Sequence, residues 1–219
     1  MNGTRVVDIC RGEVGVTESP ANSNRVKYWD VYPQWNGSYW CAAFTTWSWR
    51  QVGVDLLREL GEGSFYVPSI VNWAKWKGIW KTDEANDGDL VVYGFGGSVA
   101  QHIGIAWPDP YTRDYRAIEG NTSPGDGGSQ ANGGGVYRRY RKRSHILGWV
   151  DMATVASWYA PKPESESEPE QPEPEQPEPE QQQPEEIPLK PEDIVNAFLD
   201  SQDFHSGKQP TGAEEEGHR

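Results

Sequence analysis

Along residues 1–160 the spacing of apolar positions changes once, from helical to extended. Thr4 stands where it can cap a helix reaching about Glu13, which Gly15 closes. Thr17–Trp40 reads as loop, broken by Pro20, Asn22, Asn24, Pro33, Asn36 and Gly37. A second helix is predicted from Cys41 to about Val52, stopped by Gly53, and a third over roughly Ser69–Lys77, ending at Gly78. Extended segments follow at Asp89–Tyr93, Gln101–Trp107, Tyr115–Gly120 and Gly135–Arg141. In QHIGIAW, alternation sends His102, Gly104 and Ala106 to one face and Ile103, Ile105 and Trp107 to the other. The apolar face suits a core; the small residues beside His102 leave room for a substrate or an opposing helix. Helices first and strands afterwards predict an α+β domain, with N-terminal helices packed on an antiparallel sheet.

Past Ala160 this patterning stops. Residues 161–186 alternate Pro and Glu with a five-residue EPEQP period, which predicts an extended, self-repelling linker. The last segment, 187–219, is short and acidic. Pro191 sits at a helix-start position there, and Ile194, Val195, Phe198 and Leu199 give a stripe for a helix over 191–204. The rest of the tail is expected to be disordered.

Charge follows the same division. The chain has 20 Lys+Arg, 33 Asp+Glu and a net charge of -13. Residues 1–160 hold 16 charges of each sign and all 11 Trp, so the whole excess lies in the tail. A neutral domain with an anionic tail is a poor generic binder of nucleic acid. No run of about 18 apolar residues is present, so no membrane insertion is expected. Met1–Val16 is interrupted by Arg5, Asp8, Arg11 and Glu13 and has no apolar h-region, so it is not expected to be a Sec-type signal peptide. Cys10 and Cys41 do not make a disulfide framework, and both thiols are expected to be free. Four scattered histidines without an HExxH-like pair point away from a zinc site, and no cofactor is implied. The protein is expected to be a monomer.

Three segments carry candidate chemistry. Cys41 opens the helix CAAFTTWSWRQV, where free N–H groups and the helix dipole favour a thiolate; it is either a nucleophile or a small buried hydrophobe. His102 begins a strand, as a base or as a satisfied surface histidine. Glu119 and Asn121, two apart in YRAIEGNTS, project to one side of an extended chain. An acceptor there could hold imidazole Nδ1–H and turn Nε2 to the sulfur; the alternative for Glu119 is a solvated carboxylate.

The segments W-C-A-A-F, H-I-G-I-A and I-E-G-N-T-S together resemble the CHAP family, the cysteine, histidine-dependent amidohydrolases/peptidases. The likeness covers roughly residues 4–152 and takes in the E-x-P-x-x-S-N run from Glu18 to Asn24 and the later GGGVYRRYR. It implies a papain-like/NlpC-type thiol hydrolase fold over 1–160. Cys41 would be the nucleophile, His102 the base and then acid, and Glu119 the imidazole orienter. Asn121 would be a fourth polar member, orienting the imidazole or polarising the scissile carbonyl. Family members of this kind cut peptidoglycan, at the muramoyl–L-alanine amide or at a stem or cross-bridge peptide bond. The acidic calcium loop of some members has no counterpart before Cys41, so no metal is carried over.

Such a chain would be phage lysin-like, made in the host cytoplasm without a signal peptide and acting on the cell wall. Two rivals stay open: an intracellular thiol amidase acting on a non-wall amide, and a wall-binding or assembly module with an inactive triad. Trp35 and Trp40, beside Cys41, are candidate groove-lining rings; WAKWKGIW, Trp149 and Trp158 read as packing. The loop Gly120–Gly135, with seven glycines in 16 residues, is a mobile lid or a tolerated surface loop. RRYRKR at 138–143 reads as an exposed basic edge.

Overall fold

The computed structural model describes residues 2–109, 115–125 and 127–161, all within one unit, Met1–Glu166. Pro161 apart, the linker 161–186 and the segment 187–219, with its expected helix over 191–204, lie outside the described residues.

Helix α1 spans Asn2–Glu13, so it starts before Thr4, which lies inside the first turn instead of capping it. Gly15, at φ +96, turns the chain out of it. The following loop contains two 3₁₀ turns, Lys27–Trp29 and Pro33–Trp35. Helix α2, Cys41–Arg50, and helix α4, Val67–Trp76, match the expected second and third helices. Between them lies α3, Leu56–Leu60, capped by Asp55, whose side chain accepts from Leu57 N–H. Five residues are too few to leave a periodic signal.

Six strands form one sheet: β1 Trp80–Lys81, β2 Leu90–Tyr93, β3 His102–Ala106, β4 Tyr115–Thr122, β5 Gly135–Arg141 and β6 Ile146–Val150. Their order is β1-β6-β2-β3-β4-β5, with every neighbouring pair antiparallel. The chain closes with α5, Met152–Ser157, capped by the Asp151 side chain on Thr154 N–H. The α+β class with an antiparallel sheet is thus what the fold has. No helix among the described residues is long and apolar enough to cross a membrane.

The two sheet faces differ in chemistry. Leu90, Val92, Ile103, Ile105, Ile118 and Val150 join Val6, Val7 and Cys10 of α1 and Phe44 and Trp49 of α2 in the main core. Helix α2 lies against β3 and β4. Val91, Tyr93, Ala106, Ala117 and Trp149 form a second, smaller apolar cluster, on the face that also carries His102 and Gly104. The room beside His102 is not open to a substrate or a helix: Glu119 fills it. A Cβ on Gly104 would come within 2.7 Å of Glu119 Cγ, so glycine is what lets that carboxylate cross the strand. On the other face Gly120 does the same for α2, where a Cβ would meet Trp40 at 2.6 Å and Phe44 at 2.7 Å.

Edge strand β5 splits the basic run by alternation. Arg138 and Tyr140 are exposed, whereas Arg139 and Arg141 are buried under the sheet. The expected exposed basic edge therefore holds for Arg138, Lys142 and Arg143 of that run but not for Arg139 and Arg141. Trp76 also departs from the packing expected of it, at 78% exposed, while Trp73 is buried and meets Trp158 edge-on.

Candidate active site

Cys41 is the first residue of α2, whose opening N–H groups have no partner inside the helix and no side-chain cap. Its thiol is nearly covered, at 5% exposed. His102, first residue of β3, is fully buried, with its ring stacked on Tyr93 at 5.8 Å between centroids and covered by Phe95 at 6.0 Å. The ring Nε2 donates to Glu119 Oε2 across 3.0 Å. Nδ1 is buried without a hydrogen-bond partner among the described residues and is the atom left for Cys41. The thiol is close enough to strengthen the ring's hold on a proton, yet it falls short of hydrogen-bond geometry at Nδ1. Nucleophile–base bonds are commonly loose before substrate arrives.

The ring is therefore turned opposite to the expected sense, with Nε2 on the carboxylate and Nδ1 the nitrogen left over for the sulfur. Glu119 comes from the neighbouring strand and reaches over Gly104, which brings it to the far nitrogen of the imidazole.

Electrostatics fix the protonation of this pair. Burial by itself pulls a histidine down, but Cys41 and Glu119 outweigh it and raise His102 to about 9. Burial pushes a carboxyl up, but His102 and Arg141 outweigh that and lower Glu119 to about 2. The depressed Glu119 contributes stability above its ordinary 4.5 that is lost as pH falls towards about 2. The raised His102 contributes stability below its ordinary 6.5 that is lost as pH rises through about 9. Thermal melts across pH should accordingly show a plateau between these ordinary values and a fall on either side. A melting temperature that keeps climbing above pH 6.5 would contradict the His102 assignment.

Asn121 does not reach the imidazole. Its left-handed backbone, φ +57, and a register shift between Glu119 and Thr122 break the alternation that put it beside Glu119. Its Oδ1 accepts from Trp40 N–H at 3.3 Å, and its Nδ2 donates to Asn24 Oδ1 at 3.0 Å, Asn132 Oδ1 at 3.2 Å and Gly133 O at 3.2 Å. It pins the residue before Cys41, and its two Nδ2 hydrogens are already shared among these acceptors, so no donor is left to polarise a carbonyl. Trp40 does not line a groove either: it is fully buried, stacked on Tyr28, with its indole N–H on Glu18 Oε1. Trp35 is half-buried in a ring cluster with Trp29, Tyr32 and Phe65.

Sequence reasoning singled out no role for Glu18, Asn24, Tyr93, Phe95 or Arg141. Glu18 and Asn24 begin and end the E-x-P-x-x-S-N run and converge on the segment ahead of Cys41. Tyr93 stays a neutral phenol, because burial first and the Glu119 charge next push it well above its ordinary value. Cys10 is a free, buried thiol pushed up to about 12 by burial, which removes it as a rival nucleophile. No cluster of His, Cys, Asp or Glu fit to hold a metal ion occurs among the described residues.

Fold and site define an α+β protein that brings a buried imidazole and an arginine-backed carboxylate together near a helix-start thiol. No family model, no curated protein and no solved structure significantly matches the chain.

Proposed function

We propose that this chain is a cysteine amidohydrolase or endopeptidase of papain-like, CHAP-type fold that cuts peptidoglycan, in the manner of a phage lysin. The observation that carries the chemistry is His102, held through Nε2 by Glu119 and left with Nδ1 free beside Cys41. The wall substrate rests on the resemblance of the three segments to the CHAP family.

In this reading Nδ1 takes up and holds the Cys41 proton, as the raised His102 favours, and the sulfur attacks the amide carbonyl carbon, giving a tetrahedral oxyanion. Unpaired N–H groups at the start of α2 are the donors nearest to hand for it. As the C–N bond breaks, Nδ1 returns the proton to the leaving amine, and a thioester remains on Cys41. Water, deprotonated by Nδ1, then attacks the thioester, releasing a carboxylic acid and restoring the thiol. Nε2–H stays on Glu119 throughout and keeps the ring aimed. The enzyme would be made in the host cytoplasm and reach the wall with the help of another factor.

The test is digestion of purified Gram-positive walls with the full chain, followed by mass spectrometry of the released fragments. A new amine is expected, at the muramoyl–L-alanine amide or at a stem or cross-bridge peptide bond. Walls left intact would sink the wall reading and favour another amide substrate or a non-catalytic wall-binding module.

A further inference from the structure

Strand β5 turns Arg141 inward, and its guanidinium meets Glu119 with two prongs. Nε donates to Oε1 at 3.0 Å and Nη2 donates to Oε2. The same Nη2 donates to Thr122 Oγ1 at 3.1 Å, and Nη1 donates to the Gln130 side-chain oxygen. Gln130 is fastened in turn, because its Nε2 donates to the carbonyls of Gly125 and Gly128, each at 3.1 Å. The rings of Phe95 and Tyr93 flank the guanidinium at 5.1 and 5.6 Å. The Arg141 side chain is 5% exposed and that of Glu119 is fully buried, so water does not compete for these bonds.

This grip decides more than the place of a carboxylate. A buried glutamate without a cation favours its neutral form. Protonated, Glu119 would become a donor and would force Nε2 to accept. The ring proton would then sit on Nδ1, where it blocks uptake of the Cys41 proton. A carboxylate held on one side only could also rotate away from Nε2.

We propose that Arg141 is a positioning residue of this site: by gripping both oxygens of Glu119 it keeps a proton on His102 Nε2 and leaves Nδ1 to Cys41. The role rests on the thiol–imidazole reading above, and Arg141 itself touches no reacting atom.

The test compares the full-length wild type with Arg141→Gln and Arg141→Lys, using imidazole-labelled protein and NMR of the ring N–H, alongside hydrolysis of soluble wall fragments. The wild type should show a slowly exchanging Nε2–H. In Arg141→Gln that signal should vanish, kcat should fall about tenfold or more with KM little changed, and the acid limb of the pH profile should move upward. Arg141→Lys keeps the charge but not the two prongs, and should recover part of kcat and of the acid limb. A wild-type Nε2–H signal and pH profile in Arg141→Gln would overturn the proposal. If Arg141→Gln does not fold by circular dichroism, Arg141→Lys decides: faster ring-proton exchange supports the role, and unchanged exchange overturns it. Wild type that leaves walls and fragments intact, with Nε2–H still lost in Arg141→Gln, refutes the hydrolase reading and not the positioning. Wild type that cuts walls, with Arg141→Gln altering neither signal nor profile, refutes the positioning alone.

Discussion

Cys41→Ala is expected to lower wall hydrolysis by at least about 10⁴-fold, the scale on which hydrolases lose turnover with their nucleophile. The other cysteine is no substitute, being buried in α1 and pushed up to about 12 by that burial. The fold should tolerate the change. The side chain is 5% exposed and loses a single sulfur, which costs about 1 kcal/mol and a few degrees of melting temperature. Turbidity of wall suspensions and a thermal melt together read the two effects. Retention of even about a tenth of wild-type activity in a folded variant would remove Cys41 from the nucleophile's role. The variant also loses what most strongly offsets burial in raising His102. Its alkaline loss of stability should therefore start from the same ordinary 6.5 but be smaller and complete at a lower pH than in the wild type.

Glu119→Gln should damage activity and stability together. Three donors converge on the carboxylate: His102 Nε2–H, Arg141 Nε–H and an Arg141 Nη2–H. A glutamine keeps the shape but offers one acceptor oxygen and presents N–H to the rest, so at least one donor is orphaned in the core. Arg141 meanwhile keeps its charge without a counter-ion. Removing one member of a buried ion pair costs about 3–5 kcal/mol, which for a domain of this size is about 6–20 °C of melting temperature. Turnover should fall by about 10²–10⁴-fold, because the amide can also hold the imidazole in the wrong tautomer. Thermal melts should in addition lose the acid fall that Glu119 gives the wild type between pH 4.5 and about 2. A loss of less than about tenfold in turnover would show that Glu119 does not orient the ring.

Much of the frame was legible because it rests on local rules. Gly15, Gly53 and Gly78 all adopt positive φ where they were read as helix stops. Alternation placed His102 and Gly104 on one face correctly. What escaped were the parts set by contacts between distant segments. Strand β6 passes between β1 and β2, an order that no spacing within ILGWV announces. Alternation located Glu119, but the side from which it meets His102 depends on the pairing of β3 with β4 and on the gap at Gly104. The same rule misled at Asn121, since its left-handed backbone and the register shift beside it break the two-residue alternation. Arg141 was hidden within RRYRKR, where charge alone suggests solvent and only the edge-strand register divides inward from outward.

The bonds of Asn121 have one more consequence, for the order in which the candidate site is put together. Two of its partners, Asn132 and Gly133, lie 11 and 12 positions away, whereas Trp40 and Asn24 lie 81 and 97 positions away. Loop-closure entropy grows with the logarithm of that separation, and the long pair costs about 2 kcal/mol more to close than the short pair. Cys41 and Asn24 belong to the first half of the domain, and His102, Glu119, Asn121 and Arg141 to the second. A chain emerging from synthesis thus carries Cys41 long before it carries His102 or Glu119. Neither half, severed from the other, contains both Cys41 and His102.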